Sequence, residues 1–286
     1  MNSTSDALRV GFIGLGSQGA PMARRIIGAG YPTTLWARRP GTLEPFAGTG
    51  ARPAGSPAEL AAASDLVCVC VRDDADVEAV VDAVLGGLAA GGVIAVHSTV
   101  HPDTCRRLAE RAQASGVGLI DAPVSGGGPA AEAGRLLVMV GGDDETVQRC
   151  RPVFASYGDP VVHLGPVGAG QVTKLLNNAA FTAHLGVAAS LLALGQSLGV
   201  DQLRLADVIS HGSGDSFALQ RVASAGGTVA RIGEHAGHLL RKDVRLIAEV
   251  AAAPAAADGA GQRPADRGDT LLAAADAALA LMNVGR

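Results

Sequence analysis

Short apolar runs alternate with segments of helical periodicity over the first 165 residues. The runs have few polar side chains, which is typical of strands buried on both faces of a parallel sheet. They fall at residues 8–13 (LRVGFI), 33–36 (TTLW), 66–71 (LVCVCV), 93–96 (VIAV), 117–121 and 136–140. Segments such as 21–30 and 75–85 carry apolar residues at helical spacing between them. This alternation predicts an α/β fold built on a doubly wound parallel sheet.

The pattern changes near residue 165, after which no strand-like run is found. Residues 170–198 read as one long helix, and three helical stretches follow near 201–211, 216–224 and 235–250. We therefore predict a doubly wound domain over residues 1–165 and an all-α domain over residues 166–286, connected by the long interdomain helix. The alanine-rich stretch 251–261 (AAAPAAADGAG) is predicted as a mobile linker or a short helix.

Composition narrows the classes of function. Hydrophobic residues make up 48% of the 286 residues, and the net charge of −4 offers no basic excess for nucleic acid or an anionic membrane. We see neither a signal peptide nor 18 uninterrupted apolar residues. Cys68 and Cys70, two apart in an apolar run, predict buried reduced thiols. We expect a soluble, cytoplasmic protein.

The first candidate site is the loop Gly14-Leu15-Gly16-Ser17-Gln18-Gly19, between a predicted strand and a predicted helix. In such a loop the first glycine permits a tight turn and the second lets a pyrophosphate approach the backbone. The third allows the helix to pack on the strand. The helix N-terminus adds N–H donors for phosphate. The loop therefore predicts dinucleotide binding in a Rossmann-type domain, and the alternative is a plain strand–helix turn.

The end of the second predicted strand indicates which dinucleotide is bound. NAD sites usually carry Asp or Glu about 20 residues after the glycine loop, for the ribose hydroxyls. No acid occurs between residues 31 and 43, where Arg38 and Arg39 stand instead. Guanidinium groups suit a 2′-phosphate, so we predict NADP, with NAD as a possible substitute. The alternative is that one or both arginines are solvated turn residues.

Four further segments carry a family resemblance. They are HSTV (97–100), DAPVSGG (121–127), GAGQVTKLLNN (168–178) and KD (242–243). With the glycine loop, they resemble in order and spacing the β-hydroxyacid dehydrogenase family, over roughly residues 8–250. The family includes 3-hydroxyisobutyrate dehydrogenase and the semialdehyde reductases. The resemblance implies a Rossmann domain, a long interdomain helix and a helical C-terminal domain.

The resemblance also implies a role for each matching residue. Lys174 matches the catalytic lysine, and Asn178 the asparagine one helical turn later. The remaining matches are Ser125, Gly126 and Gly127 for the substrate carboxylate, Ser98 and Thr99 on the nicotinamide side, Val71 and Arg72 beside the cofactor, and Lys242 closing over cofactor and substrate. Gln18 stands where the family usually has Met, and Arg72 where it usually has Pro. The chain beyond Asp243 is short for the family, so the resemblance does not decide whether a last helix is present.

The chemistry agrees with these residue types. Hydride transfer to a carbonyl puts negative charge on oxygen, which a positioned acid must protonate. A lysine on an apolar helix can serve, since desolvation lowers its pKa. His97 and His101 are four apart, but Pro102 and a strand-end setting argue against a shared helical face, and His235 and His238 lack an H-E-x-x-H arrangement. We therefore expect no metal. Ser125 and the glycines after it offer a hydroxyl and backbone N–H groups to a carboxylate.

We therefore predict an NADP-preferring oxidoreductase that interconverts a small 3-hydroxy acid and its semialdehyde or oxo acid. The partners expected are a small carboxylate-bearing substrate and further copies of the chain in a homo-oligomer, with no nucleic acid and no membrane. Two alternatives stay open. One is an imine reductase of the same architecture, which generally has Asp or Tyr in place of Lys174. The other is a non-catalytic cofactor-binding scaffold.

Overall fold

The computed structural model describes residues 7–253 and 268–285. The chain divides into two compact units, Met1–Lys174 and Leu175–Arg286. The predicted boundary at residue 165 lies before this division. The difference arises because Gly168 and Gln171, at the start of the long helix, donate backbone hydrogen bonds to Asp121 in the first unit.

The first unit contains a six-stranded parallel sheet with the order β3-β2-β1-β4-β5-β6. Its strands are β1 (Val10–Ile13), β2 (Thr33–Trp36), β3 (Arg52–Pro53), β4 (Leu66–Val69), β5 (Val93–Val96) and β6 (Gly118–Asp121). The strand order runs one way from β1 to β3 and the other way from β4 to β6. Ligands of open α/β sheets bind beside such a reversal, at the carboxyl ends of the strands.

Helices cover both faces of this sheet, which confirms the predicted doubly wound, Rossmann-type fold. They are α1 (Gly19–Gly28), α2 (Pro57–Ala62), α3 (Asp74–Leu85), α4 (Pro102–Gln113), α5 (Gly127–Glu132) and α6 (Asp144–Phe154). Successive residues of a strand point to opposite faces. In β4, Cys68 therefore packs with α1 and α6, while Val67 and Val69 pack with α2, α3 and α4. Cys70 packs on the same side as Cys68, and both are free thiols. Cys68 is buried, as predicted, whereas Cys70 is only partly buried.

A separate three-stranded sheet contains β7 (Val124–Ser125), β8 (Leu136–Val140) and β9 (Gly158–His163). Strand β8 pairs antiparallel with β7 and parallel with β9. The prediction that residues 136–140 continue the doubly wound sheet is therefore wrong. An apolar run indicates that a strand is buried but does not specify its partner. Strands β7 and β9 were missed because one has two residues and the other is largely exposed.

The second unit is helical, as predicted. Its helices are α7 (Ala169–Ser197), which begins in the first unit, α8 (Gln202–Ser210), α9 (Phe217–Ser224), α10 (Ala230–Ala252) and α11 (Asp269–Leu281). The sequence left open whether a last helix follows, because the chain beyond Asp243 is short for the family. Helix α11 is that helix. The predicted linker at 251–261 begins within the end of α10, and its remainder from residue 254 lies outside the described residues.

Helix α7 is long and apolar enough to cross a membrane by length and composition alone, with mean hydropathy 1.3 over 18 residues. Core helices of soluble proteins have the same properties, and 44% of that stretch is buried in the protein.

Polar side chains cap five other helices by accepting a backbone N–H three residues later. These N-caps are Ser56, Asp73, Asp143, Asp201 and Ser216. Each such cap contributes about 1 kcal/mol.

Candidate active site

The glycine loop connects β1 to α1 at the reversal of strand order. A Cβ atom on Gly14 would overlap the carbonyl oxygen of Cys70, and one on Gly19 would overlap that of Gly14. Gly14 also has a φ of 100°, which favours glycine. A Cβ on Gly16 would meet nothing within 4 Å. The first and third glycines are therefore required by the fold, whereas the second leaves open space beside the backbone.

The other loop residues complete a surface that fits a dinucleotide. Leu15 is buried in the core of the first unit, while Ser17 is exposed. Nε2 of Gln18 is buried and makes no hydrogen bond to any described residue. Gln18 directly precedes α1, whose first N–H groups point out of the helix. An unused amide donor beside a helix N-terminus and open space at Gly16 fit a pyrophosphate.

The predicted phosphate-binding arginines lie after β2. Arg39 is exposed and makes no ion pair with the part of the chain that the structure describes. Arg38 donates from Nη2 to Oδ1 of Asp76 over 2.8 Å, and Arg72 donates from Nε to Oδ2 of the same carboxylate over 2.9 Å. These two hydrogen bonds lower the pKa of Asp76 below its ordinary value. The sequence had not linked Arg38 to Arg72.

Ser98 connects the ends of three elements. Its Oγ accepts the backbone N–H of Val71 over 2.8 Å, which fixes the segment after β4 to the segment after β5. Its carbonyl oxygen accepts Nε2 of Gln171 over 2.8 Å, and Oε1 of Gln171 accepts the N–H of Val100 over 3.1 Å. Thr99, predicted on the nicotinamide side, lies between Ser98 and Val100, which Gln171 anchors, and is half-buried.

Asp121 holds the start of α7 on the end of β6. It is fully buried, and its carboxylate accepts the backbone N–H of Gly168 over 2.6 Å and that of Gln171 over 2.7 Å. Burial raises the pKa of Asp121 to about 6, although the two N–H groups oppose this rise. The side chain of Asp121 therefore fixes the first turn of α7 to the end of β6.

Lys174 lies one turn after Gly170 on α7 and is 8% exposed. Helix α7 presents it three residues after Gln171, which is bonded through its backbone to Asp121 and through its side chain to Ser98. The sequence missed Asp121 and Gln171 as residues that position the lysine. The available signal was their presence in the DAPVSGG and GAGQ segments, within the motif that carries Lys174.

The predicted substrate loop lies against the glycine loop. Ser125 belongs to β7 and pairs with Leu137 of β8, and the glycines that follow turn the chain with φ values of 130° at Gly126 and 74° at Gly127. A Cβ on Gly128 would lie 3.1 Å from the carbonyl oxygen of Ser17. The segments predicted to hold carboxylate and phosphate are therefore neighbours.

Two predicted residues lie in the second unit. Nδ2 of Asn178, on α7, donates to Oδ2 of Asp243 over 2.6 Å. Nζ of Lys242 lies 3.1 Å from Oδ1 of Asp243, an ion pair within α10. Asp243 is 4% exposed, so it is a buried carboxylate between an amide and an ammonium group. Its contact with Asn178 could not be inferred from the Lys242-Asp243 dipeptide alone.

The histidines of the first unit have structural contacts. Nδ1 of His97 bonds to the carbonyl oxygen of Ala122 over 2.7 Å, and Nε2 lies 3.2 Å from the hydroxyl of Tyr157. Burial lowers the pKa of His97 to about 4, so it is neutral at pH 7.

Among residues 7–253 and 268–285, no three His, Cys, Asp or Glu side chains are grouped to hold a metal ion.

Known proteins match the chain along most of its length. The NAD-binding domain of 6-phosphogluconate dehydrogenase matches residues 9–165. The NAD-binding region of NADP-dependent 3-hydroxyisobutyrate dehydrogenase matches residues 168–262. The first match alone covers more than half of the chain, and together they follow the order of the two predicted domains.

Individual relatives agree with these family matches. The NAD-dependent L-serine dehydrogenase of Pseudomonas aeruginosa is 32% identical over 263 residues, 88% of either chain. The 3-hydroxyisobutyrate dehydrogenase of Pseudomonas aeruginosa is 35% identical over 213 residues, 73% of this chain and 72% of that one. The solved structure of Mycobacterium tuberculosis 3-hydroxyisobutyrate dehydrogenase with L-serine has a TM-score of 0.81, 27% identity, and coverage of 97% and 98%. This chain therefore belongs to the β-hydroxyacid dehydrogenase family.

Proposed function

We propose that this chain is an NADP-preferring oxidoreductase that interconverts a small 3-hydroxy acid and its semialdehyde or oxo acid. One observation carries the proposal. Lys174 is buried, and Asp121 and Gln171 bind the helix turn before it to the ends of β6 and β5. An ammonium group held at that edge can protonate a substrate oxygen, which is what carbonyl reduction requires.

The chain's own residues divide the work of the reaction. When bound, NADPH supplies a hydride. Nζ of Lys174 donates a proton to the carbonyl oxygen as negative charge develops there, and takes it back in the oxidation of the alcohol. Because the side chain is 8% exposed, bulk water competes little for this proton. Ser98 and Thr99 would hold the nicotinamide side of the cofactor, as the family resemblance implies.

The carboxylate of the substrate binds to Ser125, Gly126 and Gly127. The hydroxyl of Ser125 and the backbone N–H groups after it donate hydrogen bonds to the carboxylate oxygens. The closeness of Gly128 to Ser17 supports this assignment, because it puts the acid group beside the cofactor loop. The roles of Asn178 and Lys242 in this reaction rest on the family resemblance.

The preference for NADP rests on Arg38 and Arg39. Both are exposed, and no Asp or Glu stands between residues 31 and 43 to bind the ribose hydroxyls of NAD. The L-serine dehydrogenase relative is named NAD-dependent, so cofactor choice differs within the family. Arg38 and Arg39 both suit the extra phosphate.

The distribution of lysines adds support for Lys174. Only two lysines occur among the 23 cationic residues of the chain, and they are Lys174 and Lys242. Arginine supplies positive charge everywhere else. Arginine remains protonated in proteins, whereas lysine can lose and regain its proton. A lysine at position 174 is therefore more informative in this chain than in one rich in lysine.

The decisive experiment compares Lys174→Arg and Lys174→Met with wild type. We expect both variants to lose about 10²- to 10⁴-fold in kcat, since general acid catalysis contributes that much. Their affinity for NADP⁺ should stay within threefold. The Arg variant keeps the charge but cannot transfer the proton. Arg245→Lys on α10, an exposed position, serves as the matched control. Near-native kcat in Lys174→Arg would contradict the mechanism.

The substrate is found by a spectrophotometric screen with both cofactors. Succinic, methylmalonate and tartronate semialdehydes and glyoxylate test reduction, while 3-hydroxyisobutyrate and L-serine test oxidation. A cyclic imine in the same screen tests the imine reductase alternative. Tight NADPH binding without turnover of any of these compounds would favour a non-catalytic scaffold.

We also propose that the protein is a soluble cytoplasmic homo-oligomer. Helix α7 exposes large apolar side chains at Val187 and Leu194, and Leu198 directly after the helix is exposed too, with exposed fractions of 59% to 73%. With α11, residues 183–194 form an apolar groove in the second unit. Contiguous exposed apolar surface of this kind is typical of protein contacts, and we assign it to a second copy of the chain.

A further inference from the structure

Arg72 and Asp76 carry an inference that rests on the proposed preference for NADP. Strand β1 lies between β2 and β4, and Ile13 is in register with both Trp36 and Val69. Parallel strands in such register end at one edge of the sheet. The segments after β2 and after β4 therefore emerge on either side of the glycine loop.

One carboxylate connects these two segments. Asp76 accepts Nη2–H of Arg38, from the segment after β2, on Oδ1 and Nε–H of Arg72, from the segment after β4, on Oδ2. The two guanidinium groups thus bind different oxygens of a single side chain. The ion pairs cross the end of β1, where the adenosine half of a dinucleotide would approach the sheet.

Both arginines keep most of their binding capacity. Their side chains are 66% and 75% exposed, against 16% for Asp76. A guanidinium group has five N–H donors, and each of these two gives one to Asp76. Two cations on one carboxylate leave a net positive charge. A phosphate group is attracted by this positive charge and offers several acceptor oxygens.

Two more carboxylates lie at the start of α3. Oδ1 of Asp73 accepts the backbone N–H of Asp76 over 3.0 Å and so caps the helix. Oδ1 of Asp74 accepts the hydroxyl of Thr104 over 2.7 Å. Both bind groups other than the arginine pair, although the charge of Asp73 acts on Arg72. Among the described residues, Asp76 alone bridges the two guanidinium groups.

We propose that Arg72 binds the 2′-phosphate of NADP together with Arg38, and that Asp76 is a positioning residue which holds the two guanidinium groups side by side. An acid that accepted the ribose hydroxyls would favour NAD instead. Asp76 differs from such an acid because each of its oxygens already accepts an arginine N–H. Arg72 is therefore a specificity-determining residue of this chain.

Calorimetric titration with adenosine 2′,5′-bisphosphate and with AMP tests the proposal without any turnover. The variants are Arg72→Gln, Arg38→Gln and Asp76→Asn. Arg107→Gln is the matched control, because Arg107 forms a comparable exposed ion pair with Glu78 of α3 at 2.9 Å. Thermal melting of each variant confirms that it is folded.

We expect Arg72→Gln and Arg38→Gln each to weaken the bisphosphate at least tenfold and AMP less than threefold. In an Asp76→Asn background, the effect of Arg72→Gln should shrink to threefold or less, since Asp76 no longer aligns the pair. The control should change neither ligand more than twofold.

Two outcomes would overturn the proposal about Arg72. One is an equal loss for both ligands in Arg72→Gln, and the other is no loss for either. If Arg72→Gln still weakened the bisphosphate tenfold in the Asp76→Asn background, the positioning role of Asp76 would be refuted. A different result tests the underlying function. Equal affinity of the wild type for AMP and bisphosphate would remove the NADP preference and leave the Lys174 chemistry to be tested with NADH.

Discussion

Asp121 and His97 contribute oppositely to the pH dependence of stability, so that substituting one should unmask the other. Both are buried, and burial raises the pKa of Asp121 to about 6 and lowers that of His97 to about 4. Between these values the folded protein holds a proton on Asp121 that the unfolded chain has released. The unfolded chain holds a proton on His97 that the folded protein lacks.

The signs and sizes follow from the two pKa values. The pKa of Asp121 is raised from 3.8, so its stabilising contribution is complete below pH 3.8 and lost as pH rises through about 6. The pKa of His97 is lowered from 6.5, so its contribution is complete above pH 6.5 and lost as pH falls through about 4. Each contribution amounts to roughly 3 kcal/mol, at about 1.4 kcal/mol per pKa unit. Across pH 4–6.5 the two nearly cancel.

Asp121→Asn should leave only the histidine contribution. Its free energy of unfolding should rise by about 3 kcal/mol between pH 4 and 7. His97→Asn keeps an N–H donor for the carbonyl of Ala122 and should show a fall of similar size as pH rises. The double variant lacks both titrations and serves as the control, with a nearly flat profile over this range.

Urea unfolding at half-unit pH steps provides the measurement. Trp36 is the sole tryptophan of the chain and lies in the first unit, with Asp121 and His97, so its fluorescence reports the relevant unfolding. A profile of Asp121→Asn that stays parallel to wild type from pH 4 to 7 would refute the reasoning, because Asp121 would then titrate alike in the folded and unfolded states.

Two substitutions test the cofactor side of the sheet. Gln171→Leu leaves the carbonyl of Ser98 and the N–H of Val100 without their side-chain partner, which should cost about 2–5 kcal/mol of stability in urea unfolding. Its kcat should fall more than its cofactor KM rises, and unchanged kcat would contradict the positioning role. Gly16→Ala meets nothing within 4 Å, so stability should change by less than about 1 kcal/mol. Its NADP⁺ affinity should fall at least tenfold in calorimetry, and native affinity would contradict pyrophosphate binding at Gly16.

Local patterns were sufficient for the long helix of the second unit and for the glycine loop. Residues 170–198 were predicted as one helix, and the structure has α7 at Ala169–Ser197. The strand before Gly14 and the helix after Gly19 follow from apolar runs and glycine spacing, which involve neighbouring residues only. N-caps such as Asp73 also involve neighbouring residues only, since the side chain binds a backbone group three residues later, although they were not among the predictions.

Strand partners were less predictable. The strand at 136–140 was predicted with its bounds correct, but its sheet was not, because β7 and β9 carry little hydrophobic signal. Pairing depends on contacts between segments far apart in the chain, and apolar character is common to every buried strand. The predicted fold class was nevertheless correct, since it depended on the alternation of strands and helices.

The residue types for the chemistry could be read from the chain itself, because a glycine loop, a lysine on an apolar helix and an arginine after a strand each have a local signature. Their arrangement was decided by the tertiary structure. Asp76 meets Arg38 across 38 residues, and Asp121 meets Gly168 across 47. Those carboxylates reach their partners only because parallel strands bring their carboxyl ends to one edge of the sheet, a consequence of strand order that no local pattern encodes.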